Sequence, residues 1–448
     1  VNTSNPPNAI SLIYKAIFSP VDCFFPGPLS LNIFPPDLLI WPCAYLAFLD
    51  SGDRFNGELF NAERSMNKMR LFTPGPTSVP EEVLLEMAKP VFHHRTQQYK
   101  DLFAKVNELL KYTYQTKNPV LTIAGSGTAA AEMAMINIIP AGGSVLYLSN
   151  GKFAERWVKI GERNKWNATV LKAEYGTAVP VQQVADALKS KTFDAVVLVH
   201  SETSACTVTE LAGIAALTRN TDTVLISDGI TAIGALPVKT DEWGVDIVIT
   251  GSQKAMMLPP GLAFLSVSEK AQKKAATVKQ PNLYLDLASY LKSYNENDVP
   301  WTPAVTLVRG LYVALNMIQQ EGIENVWKRT SAYAAATRAA ATALGLGVFS
   351  KSPSDSVTGI YYPPGFEDKT FRGALRKQLN MNVAAGQGSM ENKIFRVSHM
   401  GYVDQFDTLG VIAGIEIILR QQGYKFEFGA GVAAAHKELA KLSPETAK

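Results

Sequence analysis

The stretch "DIVITGSQKAMMLPPGLAFLSVS", Asp246–Ser268, decides how the chain is read. The apolar run Ile247–Ile249 breaks at Thr250-Gly251-Ser252-Gln253 and delivers one lysine, Lys254. Two methionines, a Pro259-Pro260-Gly261 turn and a second apolar run follow. A lysine placed between two strand-like runs needs a reason, because an ammonium near apolar surroundings is disfavoured.

The pattern repeats along the chain from Met69 onward. Similar runs are "PVLTIAGSGT", "SVLYLSNG", "ATVLKAEYG", "DAVVLVHSET" and "DTVLISDGI". Most are rich in Val, Ile and Leu without alternation, the mark of strands buried on both faces of a mostly parallel sheet. Helical patterns lie between them: "TAAAEMAMINII", "FAERWVKIGERN", "VQQVADALKS" and "LAGIAALTRN". Such alternation predicts a doubly wound α/β domain. Ligands of these sheets bind at the carboxyl ends of the strands. Further on, "ENVWKRTSAYAAATRAAATALGLG" reads as a long Ala-rich helix. "VTGIYYPP", "MNVAAGQG" and "KIFRVSHMG" read as strands and loops, and "DQFDTLGVIAGIEIILRQQG" as an amphipathic closing helix. The expected organisation is an extension over 1–65, an arm over 66–84, a large domain over 85–320 and a smaller α+β domain over 321–448.

The chain has 448 residues, 47% of them hydrophobic and 19% charged, as a globular protein with a large core requires. A net charge of +3 gives no ground for a nucleic-acid partner. Five histidines and three cysteines (Cys23, Cys43, Cys206) are too few and too scattered for a zinc or disulfide framework. Reduced thiols in a cytoplasmic protein are expected. Residues 1–65 are apolar but carry Pro26, Pro28, Pro35, Pro36 and Pro42, which break any continuous helix. They make a poor membrane span and a poor signal peptide. Three readings stay open: a disordered or weakly docked extension, an upstream stretch ahead of a natural start at Met66 or Met69, or a targeting segment.

The strand ends carry the chemistry. Gly125-Ser126-Gly127-Thr128 sits between a strand and a helix, where unpaired backbone N–H groups can hold an anion; a plain Gly/Ser turn is the alternative. Asp228 ends a buried strand, where a carboxylate is costly unless paired; it either caps the next helix or faces a cation that is not a side chain. His200, Glu202, Thr203 and Ser204 end another strand but lack the nucleophile-elbow spacing, so loop hydrogen bonding is expected. Lys254 is open to Schiff-base chemistry if its pKa is lowered; taken alone, a snorkelling surface lysine is the alternative. Together these parts fit pyridoxal 5′-phosphate, which needs a lysine, an acid beside its pyridine nitrogen and an anion site.

With these residues in place, the sequence resembles the class V aminotransferases, near the alanine–glyoxylate and serine–pyruvate (serine–glyoxylate) group. The resemblance covers about Met69 to Gly423. It is carried by "LFTPGPTSVP", "GSGT", "SNGKFAERW", "HSETS", "SDGITAIGA", "GSQKAMMLPPGLAF" and "FRVSHMG". It implies fold type I: a mainly parallel seven-stranded sheet in a large domain, plus the smaller C-terminal α+β domain. It implies that Lys254 bonds the cofactor and moves the substrate proton, with Asp228 as partner of the pyridine nitrogen. Ser126, Gly127, Thr128 and Gln253 would hold the phosphate, Phe153 would stack on the ring, and Thr203 would contact its hydroxyl side. Thr302 would reach the phosphate of the other subunit in a homodimer. Arg396 would clamp the substrate carboxylate, and Pro74-Gly75-Pro76 would line the pocket. His93, His94 and Arg95 would lie near the dimer interface.

Two departures stand out. Ala205-Cys206 replaces the family's usual Thr-Gly, and His399 follows a Val-Ser where Ile-Gly is common. The implied activity is transfer of an amino group from alanine or serine to glyoxylate or pyruvate by a ping-pong route. A cysteine desulfurase on this fold would want a histidine where Gln253 stands and a cysteine beyond Cys206, where there is none. A non-catalytic aminotransferase-like subunit is the remaining alternative.

Overall fold

The structure, a computed structural model, describes residues 68–279 and 281–442. The readings of residues 1–65 lie outside the described residues. The described strands are β1 (Arg70–Phe72), β2 (Val120–Ala124), β3 (Ser144–Ser149), β4 (Asn167–Lys172), β5 (Ala195–Val199), β6 (Ser201–Glu202), β7 (Thr207–Val208), β8 (Val224–Asp228), β9 (Ile247–Gly251), β10 (Leu262–Val267), β11 (Val357–Tyr361), β12 (Met381–Ala385) and β13 (Ile394–Ser398).

The main sheet has seven strands in the order β2-β10-β9-β8-β5-β3-β4. Its pairs are parallel except those of β10, which runs antiparallel to both β9 and β2. The short Pro259-Pro260-Gly261 connection explains this, since a parallel return needs a crossover of a dozen or more residues.

Successive residues of a strand point to opposite faces. Leu146, Leu148, Val196, Leu198, Leu225, Val248 and Phe264 belong to one hydrophobic core. Their chain neighbours Val145, Tyr147, Val197, Ile226, Ile249 and Leu265 belong to another. Helices Gln97–Tyr114, Leu211–Thr218 and Val305–Glu321 contribute to the first core, and Gly127–Ile138 and Lys152–Arg163 to the second. The sheet is therefore covered on both sides, which is why its strands lack polar alternation. β4 differs: as the edge strand it is only partly buried, with both end residues exposed.

A second sheet, ordered β1-β12-β13-β11, forms with helices Ile323–Ala343, Asp368–Leu379 and Gln405–Gln421 around a third core. Its edge strand β1 comes from the stretch expected as an arm and pairs in parallel with β12. One expectation is corrected. The helix Gln405–Gln421 does not close the chain, because Ala430–Leu439 follows it and packs against Ile323–Ala343. No helix among the described residues is long and apolar enough to cross a membrane.

Candidate active site

All five residues of β9 are buried, and the chain leaves them at Gly251 to enter a turn. Burying each Val or Ile contributes roughly 1.5–3 kcal/mol. That anchors a turn which must itself hold a costly lysine. Ser252 secures the turn: its hydroxyl donates to Pro259 O (2.7 Å) and accepts from Leu262 N (3.1 Å). Thr77 clasps it from the other side, donating its hydroxyl to Lys254 O (2.7 Å) and its N–H to Gln253 O (3.2 Å). The Lys254 side chain then has one place to go. Its Nζ donates to Pro74 O at 2.6 Å. Gly75, at φ +140°, leaves the room: a Cβ there would collide with Nζ. Thr73 donates to Pro76 O (2.6 Å) and closes this turn.

Burial lowers the Lys254 pKa to about 8, with Arg396 and Arg156 pushing the same way and Asp228 opposing them. Lys254 forms no ion pair among the described residues. It therefore gives up its proton far more readily than an ordinary lysine and is a neutral amine above about pH 8.

Asp228 is the last residue of β8 and is buried. Its carboxylate accepts from Trp157 Nε1 (2.9 Å) and from the backbone of Ile230 (3.0 Å). Burial raises its pKa, against the pull of those two bonds and of Arg156 and Lys254. The helix-capping reading is corrected: no helix follows β8 directly, and Asp228 orders a turn through Ile230 instead. It is a buried carboxylate that a cation would stabilise.

The helix Gly127–Ile138 starts with no side-chain cap from Ser126; Ala129 N bonds Ser126 O, which leaves the N–H groups of Gly127 and Thr128 to face outward from the helix start. A Cβ at Gly127 would lie 2.7 Å from Ile230 Cδ1, so a side chain there would have to push that methyl aside. A Cβ on Gly251 would lie 3.2 Å from Gln253 Oε1 and 3.7 Å from Gly127 N. Gln253 and the helix start therefore face one space. Gln253 Oε1 is buried and has no partner. A half-turn of that amide offers an N–H donor to the same space. An orphaned carboxamide beside free N–H groups is what an anion site requires, so these residues fit the phosphate of the cofactor.

Phe153 and Trp157 share one face of helix Lys152–Arg163. Glu202 and Ser204 hold the start of that helix: the Glu202 carboxylate accepts from Phe153 N (3.1 Å) and Ala154 N (2.9 Å), and Ser204 Oγ accepts from Lys152 N (2.9 Å). The expected loop bonding of "HSETS" has a purpose here. Ser201 joins Ser354 and Ser356 (both 2.8 Å), and His200 Nδ1 faces Thr209 O at 3.0 Å, so no triad forms. Thr203 is buried, and its carbonyl accepts from Arg396.

Arg396 lies within β13, not on an edge strand, with β12 and β11 on either side. Its Nε donates to Ala385 O (2.8 Å) and its Nη1 to Thr203 O (2.6 Å). Burial lowers its pKa. Cys206 sits behind it at φ +52°, at the position where the family has glycine. Its buried thiol is pushed up to about 12, an inert filler against Gly359, the β-partner of Arg396. His399 is buried, bonds Thr358 Oγ1 (2.9 Å) and is held down to about 3 by burial, so it stays neutral.

Lys254 feels the charges of both Asp228 and Arg396. Thr302 is not gathered with them: it is exposed and hydrogen-bonds to no described residue. His93 and His94 stack on each other (4.9 Å) and Arg95 pairs with Asp298 (2.9 Å). Sequence reasoning missed Trp157 and the carbonyls of Pro74, Ala385 and Thr203. The tryptophan lay inside a quoted motif, but a main-chain acceptor leaves no mark in a sequence.

The chain belongs to the class V aminotransferases, and the family model described as "Aminotransferase class-V" matches residues 70–405. The chain is thus a transaminase whose cofactor is pyridoxal 5′-phosphate. It is 40% identical to the "Soluble hydrogenase 42 kDa subunit" of Anabaena cylindrica, over 82% of this chain and 98% of that one. It is 34% identical to a serine–glyoxylate aminotransferase of Methylorubrum extorquens, over 84% and 98%. Among solved structures it matches the ureidoglycine–glyoxylate aminotransferase of Bacillus subtilis with TM-score 0.80 and 28% identity, over 85% of this chain and 100% of that one.

Proposed function

We propose that the protein transfers an amino group from a small amino acid, alanine or serine, to glyoxylate or pyruvate by a ping-pong route. One observation carries the reading: an amine of lowered pKa just beyond β9 feels both a buried carboxylate at the end of β8 and a buried guanidinium inside β13. Glyoxylate appears in the names of two of the relatives above, one of which also names serine.

When bound, pyridoxal phosphate supplies an electron sink for the pair left as a substrate Cα–H bond breaks. Lys254, neutral above about pH 8, would hold the cofactor's aldehyde and, when freed, carry the Cα proton on Nζ. Asp228 keeps a proton on the pyridine nitrogen, which offsets the cost of its own burial. Gly127, Thr128, Gln253 and the hydroxyl of Ser126 hold the phosphate at the helix start. Phe153 would stack on the ring, and Thr203 would contact its hydroxyl side. Arg396 presents its fork to the substrate carboxylate, with Ala385 O and Thr203 O fixing its plane. Gly75 and Pro76 line the entrance against Lys254. Exposed Thr302 reaches the phosphate of a second copy, so the active form is a homodimer with shared sites.

The test is a single half-reaction. Alanine or serine alone should release one equivalent of its 2-oxo acid per site before any acceptor is added. A panel of amino acids against glyoxylate, pyruvate and 2-oxoglutarate then ranks the substrates. No release from any amino acid would contradict the reading. It would favour the second one, a non-catalytic subunit, to which the name of the Anabaena relative points. The intact lysine, aspartate and arginine stand against that alternative.

A further inference from the structure

Three residues of helix Lys152–Arg163 share the face turned to the site: Phe153, Arg156 and Trp157, at spacing i, i+3 and i+4. Two of them have work described above. Arg156 does not, and its surroundings are unusual. Its guanidinium carbon lies 5.0 Å from the centre of the Phe153 ring. Its Nη1 donates to Thr128 Oγ1 at 3.3 Å. Thr128 is the second residue of the phosphate-side helix, directly after Gly127.

The charge of Arg156 is unspent. Among the described residues it enters no ion pair. The adjacent Glu155 is engaged elsewhere, accepting from Tyr175 Oη at 3.0 Å. Its field reaches the site nonetheless, since it acts on both Asp228 and Lys254. The other residues assigned to the phosphate, Ser126, Gly127, Thr128, Gln253 and Thr302, are all neutral. A phosphate monoester carries close to two negative charges at neutral pH. Neutral donors and a helix start offset part of that charge, and a guanidinium fork supplies the rest with matching geometry.

We infer that Arg156 is a cofactor-holding residue whose guanidinium closes the cradle of Gly127, Thr128 and Gln253 over the phosphate. The inference rests on the phosphate placement proposed above.

The experiment compares two ligands, pyridoxal phosphate and pyridoxal, by equilibrium binding to the apo form of the full chain. Arg156→Gln should weaken pyridoxal phosphate about tenfold and leave pyridoxal unchanged, the loss of one charge-assisted contact. Arg156→Lys, which keeps the charge and loses the fork, should recover part of that affinity. Arg156 is exposed, so both variants should melt with the wild type, and melting curves check this. Equal weakening of both ligands would reduce Arg156 to a support for Phe153 and overturn the inference. So would no change in either. Wild-type protein that bound pyridoxal phosphate no better than pyridoxal would overturn the phosphate site as well, which separates the two failures.

Discussion

Lys254 and Arg396 are both buried cations without a carboxylate partner, yet the two sheets hold them differently. Lys254 stands on a turn beyond the end of β9, its amine tied to a single carbonyl, that of Pro74. Arg396 stands inside β13 with neighbours on both sides and two carbonyl acceptors. Burial pushes both pKa values down. The reference values decide the outcome. A lysine starting near 10.5 arrives at about 8 and becomes an available nucleophile. An arginine starts much higher, stays charged and remains an anion clamp. The same physical cost thus yields one group that changes charge and moves, and one that does neither.

The largest effect that would break this contrast comes from Lys254→Ala. Turnover should fall by more than about a thousandfold while the melting temperature holds or rises, because a costly buried amine is removed. Arg396→Lys should raise KM for both amino and oxo acid by roughly ten- to a hundredfold with a smaller change in kcat, since the charge persists and the fork does not. A kcat loss with KM intact would contradict a clamp.

The pH dependence sharpens the lysine side. The rate at which apo-protein captures pyridoxal phosphate should climb about tenfold per pH unit below about pH 8 and level off above it. The linkage sign agrees. The folded pKa lies below the unfolded 10.5, so the unfolded chain binds more protons between the two values. This group's penalty is full below about 8 and fades as pH rises toward 10.5, so apo-protein stability gains over that window. The smallest effect is Trp157→Phe. It removes one bond to Asp228 and should weaken cofactor binding by about fivefold, the worth of a single hydrogen bond of ~1 kcal/mol.

These contrasts also explain what the sequence could and could not reveal. The strands of the main sheet were legible because burial on both faces leaves unbroken Val/Ile/Leu runs, and strand ends point to ligand sites. Lys254, Asp228 and the Gly125–Thr128 turn were found that way. The apolar run of β10 and the Pro-Pro-Gly turn before it were legible too, but not its antiparallel direction. The β1 strand was not: three residues carry no period, and their pairing with β12 bridges more than three hundred residues of chain. Nor was the helix Ala430–Leu439, whose Ala- and Gly-rich start gives little stripe to read. The Arg396 fork could be placed on a strand but not oriented, because its two acceptors are main-chain atoms from distant segments. The strain at Cys206 was visible only as a substitution for glycine; its φ of +52° gives that substitution its physical meaning.

The central claim is that Lys254 is the residue that bonds the cofactor. The most direct measurement loads the full chain with pyridoxal phosphate, reduces it with borohydride, and maps the labelled peptide by mass spectrometry. The account predicts the cofactor's added mass on Lys254 alone. Label on another lysine, or a reduced protein that carries none, would contradict it.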